Sequence, residues 1–196
     1  MKERYGASVP KAQMLRVHVH TAGSVLTAQQ PLNNVVRITW QALSAVLGGI
    51  QSMACCACDE AIALPTEESA TLALRTQQLL AYESGVTDTI DPLAGSYYIE
   101  TLTDKIEKEA YDYIDKIDRM GGAVAAIEQG YMQQEMAAHA YEYQHEVELG
   151  KRTVIGVNKF NDSKKLAEQD VLTADLSVGE RQIARLERMK PRAITK

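Results

Sequence analysis

Between Met14 and His20 the chain alternates, with Leu15, Val17 and Val19 set between Arg16, His18 and His20. On a strand a period of two sends the two sets to opposite faces, so this segment is expected to be a strand with three basic or titratable side chains on one face. Turn signals follow at Thr21, Gly23 and Thr27. Pro31 then opens a helix whose apolar stripe is Leu32, Val35, Val36, Thr39, Leu43, Val46 and Leu47, and Gly48-Gly49 ends it. A second apolar strand is expected over 50–57, leading into Asp59-Glu60 and a loop stopped by Pro65. Thr66 can cap the next helix, which runs to about Tyr82, with Glu67 and Glu68 favourable to its dipole.

Beyond Asp91-Pro92, where Pro92 favours an extended Asp91, the spacing predicts a long amphipathic helix over 96–119. Leu102, Ile106, Ala110, Tyr113 and Ile117 share one side; the other carries Asp104 with Lys108, Asp112 with Lys116 and Asp115 with Arg119, each four residues apart. Helices over 123–129 and 133–149 and a short β-branched strand over 153–157 complete this part. From Phe160 the composition changes: Asn161, Asp162, Lys164, Lys165, Glu168, Gln169 and Asp170 form a polar linker, followed by an Arg-rich helix over 179–189 and a tail containing Pro191.

The order strand, helix, strand, helix is that of parallel βα units, so the fold class is α/β. About three strands are too few for a closed barrel of roughly eight or for a doubly wound sheet, so the chain is expected to be part of a larger fold. Its 196 residues are 45% hydrophobic and 24% charged, enough for a core and wrong for a disordered chain. A formal net charge of −5 leaves no broad cationic surface for phosphates, so nucleic acid is not an expected partner. Apolar runs are short or interrupted by Asn33, Arg37 and Gln41, and the first residues lack an apolar core and cleavage signal. No membrane span and a cytoplasmic location are therefore expected.

Two groups of residues offer chemistry. Arg16, His18 and His20 on one strand face can hold an anionic or carbonyl-bearing ligand, a reading preferred to one in which they only satisfy backbone groups or one another inside a barrel. Gln51, Ser52, Cys55, Cys56 and Glu60 lie on or just after the second strand, at the end where barrel ligands bind. Cys55, Cys56 and Cys58 are too crowded for a disulfide framework and fit a reducing compartment. With His18 and His20 they could make a zinc site, but adjacent cysteines point to opposite strand faces, and a role as small buried hydrophobes fits the spacing better. The segment 91–98 is a rigid turn into a helix, either a ligand loop or a turn capped by Ser96. No Gly-rich phosphate loop, nucleophile elbow or pair of catalytic carboxylates is present.

Several runs, in order, resemble one family. They are Leu15-Arg16-Val17-His18-Val19-His20-Thr21-Ala22-Gly23, Leu26-Thr27-Ala28-Gln29-Gln30-Pro31, Asn33-Asn34-Val35-Val36-Arg37, Gly48-Gly49-Ile50-Gln51-Ser52, Asp59-Glu60-Ala61-Ile62-Ala63-Leu64-Pro65-Thr66, Glu83-Ser84-Gly85, Asp91-Pro92-Leu93-Ala94-Gly95-Ser96-Tyr97 and Val154-Ile155-Gly156-Val157-Asn158-Lys159. Together they resemble the large subunit of methylmalonyl-CoA mutase and its acyl-CoA mutase relatives, over about residues 3–160.

The resemblance implies a partial TIM-type (β/α)8 barrel: the C-terminal portion of the acyl-CoA-binding barrel over 1–159, then a polar linker and helical tail over 160–196. It implies a radical carbon-skeleton isomerisation of the methylmalonyl-CoA/succinyl-CoA type, with adenosylcobalamin held mainly by a separate domain. Arg16, His18, His20, Gln51 and Ser52 would meet the acyl-CoA, with His20 and Gln51 in the catalytic set; Glu60 and Cys56 would lie at the ribose of the cofactor.

Departures are specific. His20 stands where methylmalonyl-CoA mutases usually have glutamine, Ser24 where they have tryptophan, and Met53-Ala54-Cys55-Cys56 where they commonly read Leu-His-Thr-Asn. The family's catalytic histidine lies upstream of the matching runs, and its Asp-x-His-x-x-Gly cobalamin motif is absent from this sequence. The chain alone is therefore expected to be inactive, and its partners are expected to be the rest of the barrel and a cobalamin-binding subunit or domain, in an oligomer. Isobutyryl-CoA or ethylmalonyl-CoA is an alternative substrate, and a non-catalytic interaction protein derived from the barrel is the alternative class.

Overall fold

Val17 and Val19 are half-buried and Arg16, His18 and His20 exposed, the alternation that the sequence predicts. The computed structural model describes residues 1–161, 172, 173 and 175–193. Two single-turn helices, α1 (Lys2–Tyr5) and α2 (Pro10–Gln13), precede strand β1, which is limited to His18–His20. A short turn of 3-10 helix, Gly23–Val25, leads to α3 (Asn33–Leu47), and β2 (Ser52–Ala54) returns parallel to β1. His18 pairs with Ser52, Val19 with Met53 and His20 with Ala54, which makes one βαβ unit. Helices α4 (Glu67–Tyr82), α5 (Tyr97–Arg119), α6 (Ala123–Glu128), α7 (Tyr131–Glu148) and α8 (Ser177–Ala193) follow.

The class is α/β, but mostly helical, with two strands among the described residues rather than the three expected. The segment 153–157 turns instead of extending. Asn158 Nδ2 donates to the carbonyls of Val147 (2.8 Å) and Arg152 (2.7 Å), and its Oδ1 accepts from Val154 N at 2.7 Å. A side chain that bonds the backbone locally competes with a ladder, and Gly156 at φ +83° completes the turn.

Helix α3 buries a line one step away from the expected stripe. Asn34, Ile38 and Ala42, four residues apart, are its buried positions, whereas Leu32 and Val36 are exposed. Ile38 joins Leu26 and Cys56 in the hydrophobic centre, with Cys55 and Cys58 packed against it. Helix α4 matches its expected span: Thr66 Oγ1 accepts from Ser69 N at 3.2 Å, and Ser69, Thr76 and Leu80 are buried.

Helix α5 has no buried residue: on the expected apolar side Leu102, Ile106, Ala110 and Tyr113 are exposed and Ile117 is half-buried. None of its three expected ion pairs forms. Lys105 instead pairs with Glu109 (3.8 Å), Asp118 with Arg4 (2.5 Å) and Lys116 with Glu135 of α7 (3.9 Å), where Lys116 Nζ also sits 4.3 Å over the Tyr131 ring. Its N-terminus is held by Glu100 Oε1, which accepts from Gly95 N at 3.1 Å; the expected cap, Ser96, makes no side-chain capping bond. Asp91 is left-handed at φ +48° rather than extended, a region that Asp enters more readily than most residues.

The polar linker residues Asp162, Lys164, Lys165, Glu168, Gln169 and Asp170 lie outside the described residues. Helix α8 starts two residues before the expected 179 and continues past Pro191.

Candidate functional site

A strand of three residues places His18 and His20 on one face, and the parallel register brings Ser52 beside His18. His18 Nδ1 and Ser52 Oγ are 2.8 Å apart. Arg16 lies two residues before His18, exposed like both histidines. Gln51 precedes β2, and its Oε1 accepts from Val17 N at 2.7 Å, which extends the inter-strand contact by one side-chain bond. His18 and His20 thus stand at the two ends of one face of β1 with Ser52 beside His18, Arg16 precedes the strand, and the Gln51 side-chain carbonyl is engaged by backbone.

After β1 the chain is fixed by Thr21, which is buried. Thr21 N donates to the Ala54 carbonyl (3.1 Å), and Thr21 Oγ1 accepts from Cys56 N at 2.8 Å. The Thr21 carbonyl faces both His20 Nδ1 (2.8 Å) and Cys56 Sγ (3.0 Å). Cys56 is buried, so its thiol is directed inward to the turn. Burial pushes the Cys56 thiol up from its ordinary value, and the neighbouring Glu60 carboxylate adds to this.

Glu60 is exposed and lies against Gly23: a Cβ at that glycine would stand 2.8 Å from Glu60 Oε1. The small residue at 23 thus makes room for the carboxylate over the β1 turn. Gln41 of α3 braces the same turn, since its Oε1 accepts from Ala22 N at 2.5 Å.

Cys55 and Cys58 are half-buried free thiols, and burial pushes Cys55 up to about 11. His20 Nδ1 and Cys56 Sγ are 3.6 Å apart, yet among the described residues no three His, Cys, Asp or Glu side chains converge as a metal site. Cys56 packs with Leu26 and Ile38 in the hydrophobic centre, and Cys55 and Cys58 lie against it.

Beneath this end lies a polar hub that the spacing of apolar residues does not reveal. Asn34 is fully buried; its Oδ1 accepts from Thr27 N (3.1 Å), and its Nδ2 donates to the carbonyls of Thr27 (2.9 Å) and Cys58 (2.8 Å). Arg37 Nη1 donates to Asn34 Oδ1 (2.8 Å) and Thr27 Oγ1 (2.9 Å), and Nη2 to the Ile155 carbonyl (2.8 Å). Gln30, at φ +49°, donates from Nε2 to the Phe160 carbonyl at 2.9 Å. The available signal was Asn34 and Arg37, three residues apart, on a helix that also carries Asn33, Thr39, Gln41 and Ser44. A separate open groove of about 600 Å³ is lined in part by Val36, Trp40, Tyr143 and Ile155.

No helix among the described residues is long and apolar enough to cross a membrane. The protein-family model described as methylmalonyl-CoA mutase matches residues 1–195. The chain is 46% identical over 190 residues to the 2-hydroxyisobutanoyl-CoA mutase large subunit of Aquincola tertiaricarbonis, covering 97% of this chain and 34% of that protein. It is 46% identical over 187 residues to methylmalonyl-CoA mutase of Escherichia coli (strain K12), covering 95% of this chain and 26% of that one. Against the mitochondrial methylmalonyl-CoA mutase of Homo sapiens the identity is 37% over 180 residues, 92% of this chain and 24% of the human protein. The chain thus spans between a quarter and a third of the length of such relatives.

Proposed function

The chain belongs to the methylmalonyl-CoA mutase family, and on that premise we propose that it is the C-terminal βα part of the acyl-CoA-binding barrel of an adenosylcobalamin-dependent acyl-CoA mutase. The observation that carries this reading is the exposed polar face of the β1–β2 pair, where His18 meets Ser52, His20 follows on the same face, and Gln51 is tied to the strand at Val17. A sheet face of this polarity suits a barrel interior that receives a thioester.

Each residue then has a role its chemistry allows. Arg16 is a permanent cation and pairs with a carboxylate or a thioester oxygen. His18, braced by Ser52, orients or donates a hydrogen bond to the acyl group. Gln51 keeps its amide nitrogen for ligand while its oxygen is fixed on Val17 N. His20 and Gln51 form the part of the catalytic set that this chain supplies.

The residues fit the adenosyl group on one test: Glu60 is an exposed carboxylate resting on Gly23, an acceptor for two ribose hydroxyls. Cys56 contributes differently, since its thiol is buried and supports the turn beneath Glu60. When bound, the cobalamin group supplies radical hydrogen abstraction, and these side chains bind, orient and exclude water around the substrate.

The net reaction is an isomerisation in which the thioester carbonyl group moves to the neighbouring carbon. The substrate belongs to the methylmalonyl-CoA/succinyl-CoA class, with a branched or hydroxylated acyl-CoA as the second reading, favoured by the 46% identity to a 2-hydroxyisobutanoyl-CoA mutase large subunit. The remaining barrel and a cobalamin-binding subunit or domain are the partners. Large exposed apolar residues such as Trp40 (68%) and Tyr97 (92%) agree with incorporation into a larger assembly.

Gentle isolation of the native protein, followed by intact mass and turnover of methylmalonyl-CoA with added adenosylcobalamin, tests the proposal. The expected result is a complex or longer polypeptide that isomerises an acyl-CoA. A chain that purifies alone and is inert with every acyl-CoA would overturn it.

A further inference from the structure

Two histidines share the exposed face of β1, and the structure leaves only one of them a choice of tautomer. His18 Nδ1 meets Ser52 Oγ, a hydroxyl that can donate or accept, so either ring form is satisfied. His20 Nδ1 meets the Thr21 carbonyl at 2.8 Å, and a carbonyl oxygen only accepts. The proton of the neutral His20 ring therefore resides on Nδ1, and Nε2 is left as a bare acceptor.

That carbonyl is not free to adapt. Thr21 is buried, its N–H is held by the Ala54 carbonyl and its hydroxyl by Cys56 N. Cys56 Sγ takes the second acceptor position on the same oxygen at 3.0 Å. The tautomer is consequently set by the pairing of β1 with the segment after β2, and not by a mobile surface contact.

Resting on the reading that this face lines the ligand cavity, we propose that His20 is a specificity-determining residue: its Nε2 selects a ligand that presents a hydroxyl donor at the end of β1. A carbonyl or carboxylate oxygen at the same place would meet a lone pair. Arg16, two residues before β1 and exposed, is a pure donor, so a ligand that reaches both residues would present an acceptor and a hydroxyl. That hydroxyl can belong to the acyl group or to a ribose, and the two sources are separable.

The test has a spectroscopic and a binding part. In the full chain labelled with 15N-histidine, with His20 assigned by its loss in His20→Gln, long-range 1H–15N spectra should show Nδ1 protonated and Nε2 unprotonated. The reverse pattern overturns the proposal. Binding is then measured on the natively isolated protein with its accompanying polypeptides, using 2-hydroxyisobutanoyl-CoA against isobutanoyl-CoA, and adenosine against 2′,3′-dideoxyadenosine.

His20→Phe should reduce the preference for the hydroxylated member of one pair about fivefold, the worth of one hydrogen bond, whereas His20→Gln, which restores an acceptor, should retain it. The pair that responds identifies the source of the hydroxyl. Equal losses for both members of a pair, or no change in either pair, overturn the proposal while leaving the barrel reading in place. If neither CoA ester nor nucleoside binds the unsubstituted protein, the barrel reading fails and the role of His20 fails with it.

Discussion

Replacing Asn34 by alanine removes the centre of the polar hub under α3. Asn34 is fully buried and its side chain serves three backbone groups: Thr27 N, the Thr27 carbonyl and the Cys58 carbonyl. Alanine leaves all three without their partner in a region that is only partly open to water. An unsatisfied buried group costs about 1–3 kcal/mol, and the lower end applies where a relaxed loop regains some water, so about 3 kcal/mol is expected in total. Arg37 loses one contact but keeps Thr27 Oγ1 and the Ile155 carbonyl, so it adds little. Set against a folding free energy of about 5–15 kcal/mol, the loss is large, equivalent to roughly 6–12 °C in melting temperature for a chain of this size. The assay is urea unfolding of Asn34→Ala alongside Asn33→Ala, whose side chain makes a single bond to Gln30 Oε1. The neighbouring variant should lose no more than about 1 kcal/mol. A loss for Asn34→Ala below about 1 kcal/mol, or one equal to that of Asn33→Ala, would refute the assignment of this residue as the hub.

Other outcomes are expected from separate features. Gln51→Ala should speed hydrogen exchange at the Val17 amide several-fold and cost about 1 kcal/mol, because Val17 N loses its 2.7 Å acceptor; unchanged exchange would dissociate the two. Gly156→Ala should cost about 1–2 kcal/mol by denaturant titration, since the glycine has φ +83° and a Cβ there would lie 3.0 Å from Gln30 Oε1. Native Cys55, raised by burial from its ordinary 9.0 to about 11, should alkylate slowly at neutral pH. For that thiol the unfolded chain ionises first, so its contribution to stability is complete below pH 9 and is lost as pH rises toward about 11; a thiol that reacts at pH 7 as fast as in urea contradicts this.

Local signals were the legible ones. Helix α4 follows from Thr66, Glu67 and an apolar spacing contained within the helix itself, and it lies where expected. The βαβ order and the polar face of β1 were legible for the same reason, since strand alternation needs no partner. What failed depended on contacts between distant residues. The expected strand at 153–157 has β-branched residues, but Asn158 captures its backbone. The stripe on α3 is displaced because an amide, Asn34, is more valuable inside than Leu32 is, a preference that no hydrophobicity scale records. On α5, Asp118 and Lys116 find Arg4 and Glu135 outside their own helix, while Lys105 pairs with Glu109 within it. Of the candidate site, His18 with Ser52 is brought together by register, and Gln51 is tied to the backbone by a bond that only the paired strands create.

The bonds from Arg37 to the Ile155 carbonyl and from Gln30 to the Phe160 carbonyl join residues 118 and 130 positions apart. Closing a loop costs chain entropy that grows only with the logarithm of its length, so doubling such a loop adds about 0.6 kcal/mol. A pair of side-chain bonds can therefore hold the whole run of α4 to α7 as one closed circuit on the βαβ unit. Cutting both bonds opens that circuit, and the segment 30–37 and the turn 155–160 should then gain mobility together, although more than a hundred residues of sequence lie between them.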